Sequence, residues 1–179
     1  MKSIEAQLAR YKSVHLNQKN INTHFVGVPL IFLAVTLLLS AITFELTIDN
    51  FFSRPITLHL TLAMLIFSMV ALYYMALHRL LGLGMLIYIF INLSVAQLLS
   101  HTEGVLYIAL ALFVIGWIIQ FIGHYYEQAK PAFIDDLSQF LIGPLFLMAE
   151  VYFILGLESA LKAKITPMAL EKRRAISAN

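Results

Sequence analysis

The sequence contains no cysteine, and this absence removes several kinds of chemistry at once. Disulfide bonds, thiolate metal sites and cysteine nucleophiles are all excluded. A metal site must therefore be built from His, Asp, Glu or Asn side chains. Charged residues are also scarce, at 12% of the chain with a net charge of +2. Since no basic tract is present, we expect no nucleic-acid partner.

Apolar residues are abundant instead. They make up 60% of the 179 residues, and the mean hydropathy is +0.83. Soluble domains are typically about half apolar and a quarter charged. A soluble protein of this length could not cover so much apolar surface, so we expect a single all-α integral membrane domain over residues 1–179, with membrane lipids as its surroundings.

Several apolar segments have the length of a membrane-spanning helix, which is about 20 residues. Four contain no Lys, Arg, Asp or Glu, and they cover residues 25–44, 56–77, 80–100 and 104–123. A fifth, 137–157, is interrupted by Gly143-Pro144 and by Glu150. We expect four transmembrane helices in one bundle, and we expect the fifth segment to be broken at Gly-Pro and re-entrant or interfacial, with a fifth span as the alternative.

Positive charge indicates the orientation of these spans. An amphipathic arm, residues 1–23, and a tail, residues 158–179, carry most of the Lys and Arg residues. Both ends should then be cytoplasmic, which requires an even number of crossings. The membrane would be the inner membrane in a bacterium or the endoplasmic reticulum in a eukaryote. This topology places four histidines on the cytoplasmic side: His15, His24, His78 and His124.

The stretch WIIQFIGHYYEQAKPAF, residues 117–133, ends an apolar segment with polar side chains. Gln120, His124 and Glu127 follow each other at steps of four and three residues, which places them on one stripe of a helix. Gly123 would let a backbone or a ligand approach closely. A histidine and a carboxylate three residues apart can share a metal ion, as in helical di-iron bundles. Polar residues at the headgroups where a span leaves the membrane are an equally simple reading.

Other candidate ligands lie outside this stripe. His15 and His24 are nine residues apart and would point in opposite directions on an unbroken helix. Either the helix breaks between them or they serve different purposes. Glu150 is costly at membrane depth unless it faces a cavity or a partner, for which a metal, a histidine or Arg79 is available. His78 is a reserve ligand.

Three ordered blocks of the chain resemble the 2-hydroxy fatty acid dioxygenases related to the yeast endoplasmic-reticulum enzyme. The first contains Tyr11, His15, Asn17, Lys19, Asn20, His24 and Pro29. The second is GWIIQFIGH at 116–124, followed by Glu127 and Pro131-Ala132. The third is Pro144 followed by Glu150. The resemblance covers about residues 7–157, and no GxSxG, Walker, HExxH or HxxHH motif competes with it.

This resemblance implies an Fe(II)-dependent membrane dioxygenase. It would use O2 to shorten a 2-hydroxy long-chain fatty acid by one carbon, an α-oxidation. The implied metal ligands are His15, His24 and His124, with Glu127 or Glu150 as carboxylate partner. Gln120 would orient a ligand or the substrate. Non-haem Fe(II) oxygenases usually combine two histidines with one carboxylate.

Three other functions use the same residues. The histidines could ligate haem, the polar residues could be structural in a lipid-binding protein, or Glu150 could carry protons in a transporter. A Soret band would favour haem, whereas unchanged metal content in His124→Ala would favour the lipid-binding protein. Loss of flux in Glu150→Gln, without any effect of iron, would favour the transporter.

Overall fold

The computed structural model describes residues 3–51, 54–134 and 136–177. These residues form seven α-helices, a two-stranded hairpin and one 3₁₀ turn. In chain order the elements are α1 (Ile4–Lys12), α2 (Gln18–Ser40), β1 (Thr43–Phe51), β2 (Arg54–Thr61), α3 (Leu62–Leu77), α4 (Arg79–Leu99), α5 (Val105–Glu127), the 3₁₀ turn Ala132–Ile134, α6 (Gln139–Ile154) and α7 (Ser159–Ser177).

Three helices are long and apolar enough to cross a membrane, namely α2, α4 and α5. They indicate a membrane protein, in agreement with the composition. Helices α3 and α6 are apolar but have only 16 residues each, or about 24 Å at 1.5 Å per residue. The hydrocarbon core is about 30 Å thick, so the prediction of four spans remains a prediction.

The hairpin corrects the all-α expectation. Six of the residues assigned to the span 56–77 lie in β2, which pairs with β1 in antiparallel register. Apolar residues alternate with polar ones along both strands: Phe44, Leu46 and Ile48 face Leu60, Leu58 and Ile56 on one side of the ladder. This period of two is the pattern of a strand. Hydropathy averaged over a window does not detect this alternation, so β2 and the helix that follows were assigned to one span.

The helices also describe the two ends of the chain and correct one further expectation, the break at Gly143-Pro144. The arm 1–23 is the short helix α1 followed by the first turns of α2. Residues 137–157 are not broken at Gly143-Pro144, because α6 is one continuous helix with Pro144 inside it. The tail is mostly the helix α7, which packs along α1. Residues of α7 such as Ile165 are fully buried by this packing.

The closest helix packing is between α2 and α5, and glycines make it possible. A Cβ atom on Gly27 would lie 2.9 Å from the carbonyl oxygen of Gly116, and one on Gly116 would lie 2.6 Å from Ile31 Cγ1. Small residues at a helix crossing let two backbones approach in a membrane. Gly123, one turn from the end of α5, is packed against the side chains of Thr23 and Asn20, where a backbone or a ligand had been expected.

Candidate metal centre

Three histidines from three parts of the chain meet at one point. His15 lies in the linker between α1 and α2, His24 in the second turn of α2, and His124 in the last turn of α5. One ring nitrogen from each lies within 4.8 Å of the other two. The linker between Lys12 and Gln18 is the predicted helix break, and it lets His15 and His24 face each other.

The hydrogen bonds of two of these rings fix which nitrogen carries the proton. His15 Nδ1 lies 2.7 Å from the carbonyl oxygen of Tyr11, and His24 Nδ1 lies 2.9 Å from that of Asn20. A carbonyl oxygen can only accept, so each Nδ1 carries the hydrogen and each Nε2 presents a lone pair. The two Nε2 atoms are 3.0 Å apart. Two lone pairs this close repel each other unless a proton or a metal ion lies next to both.

A metal ion fits this arrangement. Imidazole nitrogens bind metals at about 2.0–2.1 Å, so two on adjacent corners of an octahedron lie about 3.0 Å apart. His124 Nδ1 is buried and has no hydrogen-bond partner among the described residues. Burial lowers the pKa of His15 well below 6.5, with the neighbouring His24 as a further cause. A metal needs the neutral ring, and His15 is therefore in its ligating form at neutral pH.

Packing holds the His15 ring in place. The ring of Tyr11 stacks on it with a centroid distance of 4.1 Å and an interplanar angle of 1°. Tyr11 is itself wedged between His15 and Phe146 of α6. The carbonyl acceptor and the stacking ring therefore belong to the same residue, so α1 sets both the tautomer and the orientation of His15.

Glu127 lies beside the histidines but is bound to other groups. Its Oε2 accepts hydrogen bonds from the backbone N–H of Asn17 at 2.7 Å and from Asn20 Nδ2 at 3.2 Å. Arg173 of α7 donates to the Glu127 carbonyl at 2.8 Å and lies 3.7 Å from Oε1. Since Asn20 also accepts from His24, Glu127 connects the end of α5 to the residue that orients His24.

Glu150 and His78 are placed away from the three histidines. Glu150 Oε1 accepts a 2.7 Å hydrogen bond from Lys12, and both side chains are nearly buried. The partner of Glu150 is therefore Lys12, and neither Arg79 nor a histidine. Glu150 does not belong to the histidine group that could hold a metal. His78 ends α3, where its Nδ1 accepts from the Leu81 N–H, and its Nε2 lies 3.7 Å from Glu158. Among the described residues, the histidine group that converges contains His15, His24 and His124 alone.

A cavity of about 280 Å³ opens from this group into the apolar interior. His15, His124, Gln120 and Gln139 are among its polar lining residues. The remaining wall is mostly apolar, and one side is a stripe of α2 at helical spacing that includes Val28, Phe32, Val35 and Leu39. From Val28 to Leu39 this stripe extends about 16 Å along the helix.

Gln139 is the site residue that sequence reasoning missed. It is the first residue of α6, is 2% exposed and lines the cavity with its side chain. The available signal was a single polar residue at the start of the apolar run FLIGPLFLMAEVYFIL, where it was indistinguishable from an ordinary residue of a helix end. Its place beside the cavity depends on the packing of α6.

Comparisons with known proteins give two matches. Residues 1–155 match the Mpo1-like family, described as 2-hydroxy-palmitic acid dioxygenase Mpo1-like. The chain is 33% identical over 165 residues to the 2-hydroxy-palmitic acid dioxygenase MPO1 of Saccharomyces cerevisiae. The alignment covers 90% of this chain and 87% of the yeast protein. No solved structure matches the chain.

Proposed function

The chain belongs to the Mpo1-like family, and from this membership we propose that it is an Fe(II)-dependent dioxygenase that carries out α-oxidation of 2-hydroxy long-chain fatty acids. The overall reaction would convert R-CH(OH)-COOH and O2 into R-COOH, CO2 and water. The two carbons involved lose four electrons, which one O2 accepts. The observation that carries the proposal is the convergence of one ring nitrogen from each of three histidines beside a mostly apolar cavity of about 280 Å³.

His15, His24 and His124 are the residues that would hold the iron. When bound, the metal would supply the sites at which O2 and a substrate oxygen are activated. Three protein ligands would leave room on the ion for further ligands from the cavity. The carboxylate that commonly completes such a site would come from the 2-hydroxy acid, since Glu127 and Glu150 are engaged with other groups.

The cavity would orient the substrate. Its polar lining, which includes His15, His124 and both glutamines, suits the hydroxy acid head, and the α2 stripe suits the acyl chain. Burial of the acyl chain against the apolar walls would contribute to affinity, at about 25 cal/mol per Å² of apolar surface removed from water. The same walls would exclude water from the head. Within this proposal the iron site is at the cytoplasmic face and both termini are cytoplasmic.

Glu127 would act as a positioning residue. By accepting from Asn17 and Asn20 it fixes the N-terminal turn of α2, which carries the carbonyl that orients His24. Groups that orient metal ligands in this way contribute measurably to affinity. Glu150, paired with Lys12, would hold α1 against α6 and keep Tyr11 stacked on His15.

The decisive experiment uses protein purified anaerobically and reconstituted with Fe(II). It is mixed with O2 and 2-hydroxypalmitate, and the products are separated by mass spectrometry. We expect pentadecanoic acid, consumption of one O2 per product, and no product from protein loaded with Zn(II). Folded, iron-loaded protein that yields neither a C15 acid nor a C15 aldehyde and takes up no O2 would refute the proposal.

Single substitutions test the ligand set. His15→Ala, His24→Ala and His124→Ala should each lose bound iron, whereas His78→Ala should retain it, since His78 contacts Glu158 instead. Iron content is measured by plasma emission on protein of verified monodispersity. Full iron content in two of the three variants would show that the metal lies elsewhere.

A haem protein is less well supported by the geometry. The rings of His15, His24 and His124 meet edge to face with centroids 4.5–5.1 Å apart. This spacing leaves no planar slot between them for a porphyrin. A transporter that protonates Glu150 is also less well supported, because that carboxylate is held by Lys12.

A further inference from the structure

Two buried amide side chains beside the cavity each have an unpaired group. Gln120 Nε2 and Gln139 Oε1 have no hydrogen-bond partner within the described part of the chain. The two residues are only 3% and 2% exposed. Both line the cavity, Gln120 from α5 and Gln139 from α6.

Such groups are uncommon in folded proteins. Buried polar atoms are nearly always paired, because leaving one unpaired costs free energy. Here a donor and an acceptor are both unpaired, and the two residues that carry them line one cavity together with His15 and His124. A single ligand with one acceptor and one donor near its metal-facing end would satisfy both amides.

A 2-hydroxy acid has these groups on adjacent carbons. Its carboxylate can only accept hydrogen bonds, and its hydroxyl is the only donor of the head. The carboxylate therefore suits the amide N–H of Gln120, and the hydroxyl hydrogen suits the carbonyl oxygen of Gln139. The lone pairs of the hydroxyl oxygen stay available to the metal.

We propose that Gln139 recognises the 2-hydroxyl group of the substrate by accepting its hydrogen, and that Gln120 binds the substrate carboxylate. This inference rests on the proposed function for the identity of the substrate. It assigns selectivity between hydroxylated and plain fatty acids to the amide of Gln139 in addition to the metal. A plain fatty acid leaves the Gln139 oxygen unpaired, and this should weaken binding roughly 10- to 100-fold.

The chain carries a suitable reporter of binding. Trp117 is the only tryptophan, and it lines the same cavity. Its fluorescence is followed in protein loaded with Zn(II), which cannot oxidise the ligand. The ligands are 2-hydroxypalmitate, palmitate and 2-methoxypalmitate, the last of which keeps the oxygen for the metal but has no hydrogen to donate.

In the unsubstituted protein, 2-hydroxypalmitate should bind at least 10-fold more tightly than both other ligands. Gln139→Met keeps the size of the side chain and removes the acceptor. In this variant the hydroxy and methoxy ligands should bind equally, with the affinity for palmitate unchanged. Gln120→Met should weaken all three ligands, and Gln97→Met, on the exposed side of α4, should change none.

Equal binding of the hydroxy and methoxy ligands by the unsubstituted protein would overturn the inference without requiring any variant. An unchanged preference in folded Gln139→Met would overturn it as well. These outcomes are separable from failure of the proposed function, which is read from the C15 product. Hydroxyl-selective binding that depends on Gln139, without oxidation by the Fe(II) protein, would support the recognition role while refuting the dioxygenase.

Discussion

The ion pair between Lys12 and Glu150 makes a quantitative prediction about stability. The two charges are 2.7 Å apart, and the side chains are only 11% and 12% exposed. The pair joins α1 to α6, and Lys12 also lies over the ring of Phe146. We predict that replacing one partner destabilises the protein strongly, whereas replacing both partners together does not.

The magnitude follows from the distance and the burial. At 2.7 Å the attraction is about 6 kcal/mol with an effective dielectric constant of about 20. Desolvation of each ion opposes this by several kcal/mol, so the net value of the pair is small. Removing one partner leaves the other charge buried and unpaired, which typically costs about 3–5 kcal/mol. For a chain of this length we therefore expect Glu150→Leu to lower Tm by roughly 6–20 °C.

The assay is thermal unfolding in detergent micelles, followed by circular dichroism at one scan rate. Glu150→Leu and Lys12→Met are compared with the double variant, which should recover most of the lost Tm. Glu45→Gln serves as the control, because the pair that it breaks with His59 is largely exposed. Metal content should be unchanged in the double variant. If that variant is no more stable than Glu150→Leu, or loses the metal, then Glu150 is not merely the partner of Lys12.

Three further predictions follow from the site and the topology. Glu127→Gln should lower metal affinity by about 10- to 100-fold, measured by competition with a chelator. If Glu127 were a direct ligand, the same substitution would abolish metal binding, as we expect for His124→Ala. In metal-free protein the low pKa of His15 means that the unfolded chain binds a proton below about pH 6.5 and the folded chain does not. The free energy of unfolding should then fall as the pH decreases below about 6.5, and His15→Gln should reduce this part of the fall. Since the chain has no cysteine, Thr47→Cys and Ala175→Cys can be labelled singly with a membrane-impermeant maleimide. In intact cells the first should react and the second should not, and the reverse pattern would invert the proposed topology.

The helices of the site were predictable because their signals are local. Apolar length identified α4 and α5 to within a few residues. The step of four and three residues placed Gln120, His124 and Glu127 on one side of α5, and the structure has them there. The geometric conflict between His15 and His24 on one helix indicated the break that the linker supplies.

What escaped prediction depends on packing between distant segments. The partner of Glu150 is Lys12, 138 residues away, and no spacing rule connects them. Gln139 gains its place in the cavity only when α6 packs beside α1 and α2. The hairpin was missed for a different reason, since its alternation was visible but was averaged into an apolar segment.

The three histidines also determine when the site can exist during synthesis. His15 and His24 leave the ribosome about a hundred residues before His124, and the contact that joins Asn17 to Glu127 spans 110 residues. Arg173, which holds the end of α5, comes last of all. The metal centre is therefore completed only after almost the whole chain has been made and inserted. In the proposed enzyme, iron would have to reach the site after translation, from the side of the membrane on which α1 and α7 have packed together.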